Sequence, residues 1–119
     1  MSATEFAAAL AALSPADQRI ELEVLFACQS SAGRQATRRA ALRQLAQLIA
    51  PGAAPYRSAI EVERALRRFE RAKWGKLRAL PVVVGPEIER LCHRICRAAG
   101  DGAAVPSLAT IRRAVEETQ

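Results

Sequence analysis

The stretch SAIEVERALRRFERAKWGKLRAL, residues 58–80, decides the fold. At about 100° per residue, Val62, Leu66, Phe69, Leu77 and Leu80 gather on one side of a helix. Arg64, Arg67, Arg68, Arg71 and Arg78 fall within an arc of roughly 100° on the other. The spacing predicts a long amphipathic helix reaching about Ala79, with one face for a core and one for something anionic or for water. Ser58 followed three residues later by Glu61 reads as a capping box that opens it. Lys73 interrupts the apolar side one turn after Phe69. Its stem either snorkels past its neighbours or the helix kinks near Gly75. Trp74 lies toward the edge of the arginine stripe, where it packs on a neighbouring helix or stacks on a base. Packing is the commoner role of an indole.

The same 3.6-residue period recurs on both sides of this stretch. Ser2 with Glu5 caps a first helix carrying Phe6, Leu10 and Leu13 on one face. Ser14-Pro15-Ala16-Asp17 starts a second, with Ser at N-cap and Pro at N1. Ile20, Val24 and Ala27/Cys28 form its stripe, widened by Leu25 and Phe26, and Ser30-Ser31-Ala32-Gly33 reads as its end. A third runs from about Thr37 to Ala50 with Leu42, Leu45 and Ile49 inward, stopped by Pro51-Gly52. Beyond residue 80, the run Pro81-Val82-Val83-Val84-Gly85-Pro86 has no second strand to pair with and reads as a buried extended connector. Pro86 at N1 opens a fifth helix holding Ile88, Leu91, Cys92 and Ile95, ended by Gly100. Ser107 caps a last one with Leu108, Ile111 and Val115. The expected fold is all-α, a compact bundle of about six helices, with residues 1–119 as a single domain. At 119 residues the chain is long enough for one core.

Charge is distributed unevenly. Residues 1–33 hold one basic and four acidic groups, residues 34–78 twelve and three, and residues 79–119 five and five, giving the net +6. A basic middle between acidic and neutral ends is a footprint that faces a polyanion. Sixteen of the eighteen basic residues are Arg, the side chain suited to bidentate phosphate contacts, although GC-rich codons produce the same preference for Arg and Ala. The candidate phosphate contacts are Arg64, Arg67, Arg68, Arg71 and Arg78, extended by Arg39 and Arg43 if the third helix shows them on the same side. A solvated helix face explains a charge run equally well, and an acidic protein surface is the third reading.

The segment Val105-Pro106-Ser107-Leu108-Ala109-Thr110-Ile111-Arg112-Arg113-Ala114-Val115 resembles the recognition helices of bacterial repressors of the lactose-repressor and GntR-like families. The resemblance implies that Ser107 caps the helix and holds a phosphate, that Thr110 and Arg113 approach bases beside Arg112, and that Ile111 packs inward. It implies that the helix ending at Ala98-Ala99-Gly100 is the first half of the unit. The connection through Asp101-Gly102-Ala103-Ala104 is longer than a helix-turn-helix turn, and a plain amphipathic closing helix accounts for the same residues.

Other chemistry is faint. Cys92 and Cys96 lie one helical turn apart, but His93 points about 100° away from Cys92. The only remaining soft ligand, Cys28, is remote, so the four ligands of a structural zinc are not assembled. No metal and no cofactor are expected. Adjacent Cys92 and His93 cannot form a nucleophile pair on a helix. The glycines are scattered at turns instead of forming a phosphate loop, and Glu61, Glu63 and Glu70 stand among arginines, which suits ion pairs better than acid catalysis. The sequence therefore predicts no enzyme. An odd cysteine count without a basic n-region or cleavage site points to a cytoplasmic protein with reduced thiols, and the expected protein is of bacterial type. No apolar stretch approaches the ~20 residues of a bilayer span. The expected partners are nucleic acid, through its phosphates, or otherwise a second copy of the chain or an acidic protein in an adaptor role.

Overall fold

A computed structural model describes residues 2–117. Among these residues the chain is all-α, with six helices and no strand. They are α1 (Ala3–Ala11), α2 (Pro15–Ala27), α3 (Ser31–Ile49), α4 (Pro55–Phe69), α5 (Glu87–Arg97) and α6 (Leu108–Glu116). A π-helical turn, Glu70–Trp74, and a last α-turn, Gly75–Leu77, prolong α4 without a break.

Helices α3 to α6 form a bundle. α3 packs chiefly on α5 and α4 chiefly on α6, while α3 also touches α4 and α6. Their apolar stripes meet in one core. Leu42 and Leu45 come from α3, Val62 and Leu66 from α4, Ile95 from α5 and Ile111 from α6, all at 0% exposure. The valine run is the extended connector that the sequence predicts, with Val82 and Val83 buried and Val84 exposed.

Several local expectations are corrected. α3 begins at Ser31, not near Thr37, because Ser30 is its N-cap and accepts the Gly33 amide at 3.0 Å. Gly33 is therefore inside a helix and not a stop. A Cβ there would lie 1.8 Å from the Ala27 carbonyl oxygen, so the residue is small to let the end of α2 cross the start of α3. Ser58 opens no helix: α4 starts at Pro55 without a side-chain cap, and the buried Ser58 hydroxyl turns back to the Ala53 carbonyl at 3.5 Å. Pro86 is the N-cap of α5, one residue before the expected N1. In α2, Phe26 faces outward, Ile20 is left part-exposed at the rim of a groove with α3, and the buried residue of that helix is Glu21.

The π turn answers the question posed by Lys73. A π turn takes in an extra residue and shifts the helical register of the residues after it. Lys73 thereby leaves the core side and pairs with Glu89 at 3.1 Å. Trp74 turns inward between Phe69 (centroids 6.3 Å apart) and His93 (5.8 Å, edge-on). The indole packs on a neighbouring helix.

Candidate nucleic-acid interface

The outer face of α4 presents the arginines that the periodicity singles out. Val62, Leu66 and Phe69 are drawn into the core, which fixes the helix rotation and turns Arg64, Arg67, Arg68 and Arg71 to the surface. Neutralisation along this face is uneven. Glu61 accepts Arg64 at 3.1 Å and approaches Arg57 at 3.9 Å, and Glu70 stands 3.6 Å from Arg67. These are short-range pairs between neighbouring turns, with Arg64 still 66% and Arg67 50% exposed. Exposed pairs of this kind contribute roughly 0.2–1 kcal/mol and dissolve readily when a stronger anion arrives. Arg68, Arg71 and Arg78 have no acidic partner among the described residues. Arg68 lies on the α5 side, at the rim of a shallow groove floored by Phe69 and Cys92.

The α3 arginines divide into two groups. Arg34 donates to the Cys28 carbonyl at 3.2 Å and Arg38 to the Ala103 and Ala104 carbonyls, both at 2.8 Å. These two tie loops to the bundle. Arg39 and Arg43 instead reach Glu117, at 4.0 and 3.3 Å, just past the end of α6. On α6, Arg112 bonds Glu116 at 2.7 Å and lies over the Tyr56 ring at 5.6 Å from its centroid. Arg113 is exposed and has no acidic partner among the described residues. Two separate clusters thus stand at the end of α6: Arg39 and Arg43 at Glu117, and Arg112 at Glu116 and over the Tyr56 ring at the start of α4. Neither Tyr56 nor Glu117 stands out in the sequence as part of these clusters, because their neighbours come from other helices.

The last two helices are not arranged as a tight helix-turn-helix. α6 packs on α4 and α3, while α5 packs mainly on α3, and residues 98–107 separate the two. The Ser107 hydroxyl accepts the Thr110 amide at 3.2 Å and bonds the Thr110 hydroxyl at 3.0 Å, so both side chains serve the helix start.

The cysteines and histidine of α5 lie inside. Burial pushes the Cys92 thiol up to about 11 and the Cys96 thiol up to about 12, holding both protonated. Burial also moves His93 below its ordinary value, against the opposing pull of the Leu77 carbonyl 3.1 Å from Nε2. No group of three or more His, Cys, Asp or Glu among the described residues converges as a metal site, and no helix there is long and apolar enough to cross a membrane. Comparisons with protein families, with curated proteins and with solved structures find no match to this chain.

Proposed function

We propose that the chain is a non-enzymatic accessory protein that binds double-stranded nucleic acid through its phosphates, using the outer face of α4. The observation that carries this reading is the excess of uncompensated guanidinium on one helix. Arg68 and Arg71 lack acidic partners among the described residues, and Arg64 and Arg67 hold theirs only at the surface; Arg78 also lacks one, but it follows the π turn and so leaves the register of this row. A row of phosphates satisfies such a row with charge-assisted, bidentate bonds and releases counterions on contact. Arg39, Arg43 and Arg112 are the candidate extensions, and each must first leave Glu117 or Glu116. Arg113 is the α6 side chain best placed to add base contacts.

The test is the salt dependence of binding to a duplex. With four or five phosphates neutralised, log affinity against log salt has a slope of about −4, at roughly −0.9 per phosphate. Replacing Arg64, Arg68 and Arg71 by Gln shrinks the slope by about two to three units while the helical circular dichroism stays intact. Folded protein that shows no binding at low salt, or binding that ignores the triple substitution, overturns the reading.

A second reading, self-association or a protein-adaptor role, is favoured by a different surface. Phe26 is 76% exposed and Leu22, one turn before it on the same face of α2, is 49% exposed. Sedimentation at high micromolar concentration separates the two: a dimer abolished by Phe26→Ser supports this second reading, and a monomer at all concentrations removes its self-association form.

A further inference from the structure

Between α2 and α5, closed off by the start of α3 and by Pro81, lies a cavity of about 350 Å³. This is within the size range of small-molecule sites. Its apolar walls are Val24, Leu25, Pro81 and Ala98. Its charged lining is lopsided, with three guanidiniums, Arg34, Arg94 and Arg97, facing one carboxylate, Glu21. His93 also lines it and adds no compensating charge.

The three arginines are only partly used. Arg34 and Arg97 each give one terminal nitrogen to a backbone carbonyl, those of Cys28 (3.2 Å) and Leu80 (2.6 Å). Arg94 gives one to Glu21 at 2.7 Å, and its buried Nε has no partner. A guanidinium carries five N–H donors, and a buried donor left unpaired is costly and calls for a reason. With Glu21 paired to Arg94, the lining keeps an excess of two positive charges, which an entering anion offsets.

We infer that this cavity binds a small amphipathic carboxylate, its acyl body against Val24, Leu25 and Ala98 and its anionic head among Arg34, Arg94 and Arg97. The apolar walls argue against a bare inorganic anion, which would leave them in contact with nothing. The charge excess argues against a neutral ligand. Occupancy would also bridge α2 to α5.

Cys28 reports on the site. It lines the cavity and is half-buried, whereas Cys92 and Cys96 are buried, protonated thiols. The experiment measures alkylation of Cys28 by N-ethylmaleimide in the full chain, resolved by mass spectrometry, with octanoate, octanol or inorganic phosphate present. Octanoate at ten times its dissociation constant slows Cys28 modification about tenfold, while octanol and phosphate at equal concentration do not. Arg97→Gln changes an exposed residue and weakens octanoate affinity about tenfold, so the same octanoate concentration protects only about twofold. Arg19→Gln, an equal charge change at an exposed position of α2 away from the cavity, leaves it unaltered. No protection by millimolar octanoate overturns the site, equal protection by octanol overturns the anion, and equal protection by phosphate overturns the acyl body. An equal loss in Arg19→Gln and Arg97→Gln would mean that net charge alone is sensed, and the site falls.

Discussion

The four-helix bundle and the α1–α2 arm are built from the same kind of residues and are held by different forces. The bundle buries Leu42, Leu45, Leu66, Ile95 and Ile111 completely. In the arm, among residues 2–28, only Leu13 and Glu21 are buried, Leu22 and Phe26 are exposed, and Ile20 lines a groove against α3. Two ion pairs from α5 secure the arm, Arg90 to Asp17 at 2.9 Å and Arg94 to Glu21 at 2.7 Å. Gln18 adds a bond to the Leu13 carbonyl at 2.9 Å. Apolar burial at about 25 cal/mol per Å² accumulates with area and ignores salt. A partly buried ion pair sets attraction against desolvation and gains little net stability. The bundle is therefore the stable unit, and the arm belongs to the part of the structure that opens first.

Cavity-forming substitutions on the two sides break this comparison most directly. Leu66→Ala removes a fully enclosed side chain from the centre of the bundle and costs about 3–4 kcal/mol. Leu25→Ala, on the half-buried inner face of α2, costs under about 1 kcal/mol, because its surroundings already border a void. Chemical denaturation of both variants measures the contrast. Equal losses would show the arm to be an integral part of the core.

Gly33→Ala attacks the joint itself. In an isolated helix this change is favourable by up to about 1 kcal/mol, and the sign here is reversed by the carbonyl of Ala27 at 1.8 Å from the new methyl. A backbone oxygen cannot swing aside, so α2 must part from α3, at about 2 kcal/mol. Hydrogen exchange should then show faster amides in α2 with α4 to α6 still protected. A variant as stable as the parent would place the crossing of α2 and α3 elsewhere.

The same glycine shows where sequence reasoning ends. The all-α fold was legible because the caps at Ser2, Ser14 and Ser107 and the stripes of α4 to α6 are local signals. Gly33 read as a stop because its reason is a contact with another helix, invisible to propensity. Ser58 mimicked a cap because the true start, Pro55, carries no side-chain cap. Lys73 on an apolar face was the one visible trace of the π turn. For the candidate interface, exposure of the α4 arginines was readable from periodicity. The sequence could not reveal that Arg34 and Arg38 are committed to carbonyls, or that Arg39 and Arg43 meet Glu117, since those partners arrive from loops and from the end of α6. The cavity was illegible altogether: α2, α3, α5 and Pro81 each bring residues that look ordinary alone.

His93 sits where bundle and arm meet, and its titration gives the smallest effect of the set. It is 4% exposed, with Nε2 beside the Leu77 carbonyl, the Trp74 ring edge-on, and Arg97 and Glu21 as the charges that act on it. Burial is the largest influence and disfavours the imidazolium, so the folded-state value lies below the ordinary 6.5. Below 6.5 the unfolded chain takes up a proton that the folded chain refuses. Stability therefore holds above that pH and declines as pH falls from 6.5 toward the folded value, by at most about 1.4 kcal/mol per pH unit for one proton. Asp17, lowered by its bond from Arg90, adds a separate loss only below 3.8, so the two windows do not overlap near pH 6. Denaturation midpoints between pH 7.5 and 5 should show the decline, and His93→Gln, which keeps a donor for the Leu77 carbonyl, should flatten it. An imidazole resonance titrating above 6.5 in the folded protein would reverse the sign and show that the Leu77 carbonyl and Glu21 outweigh burial.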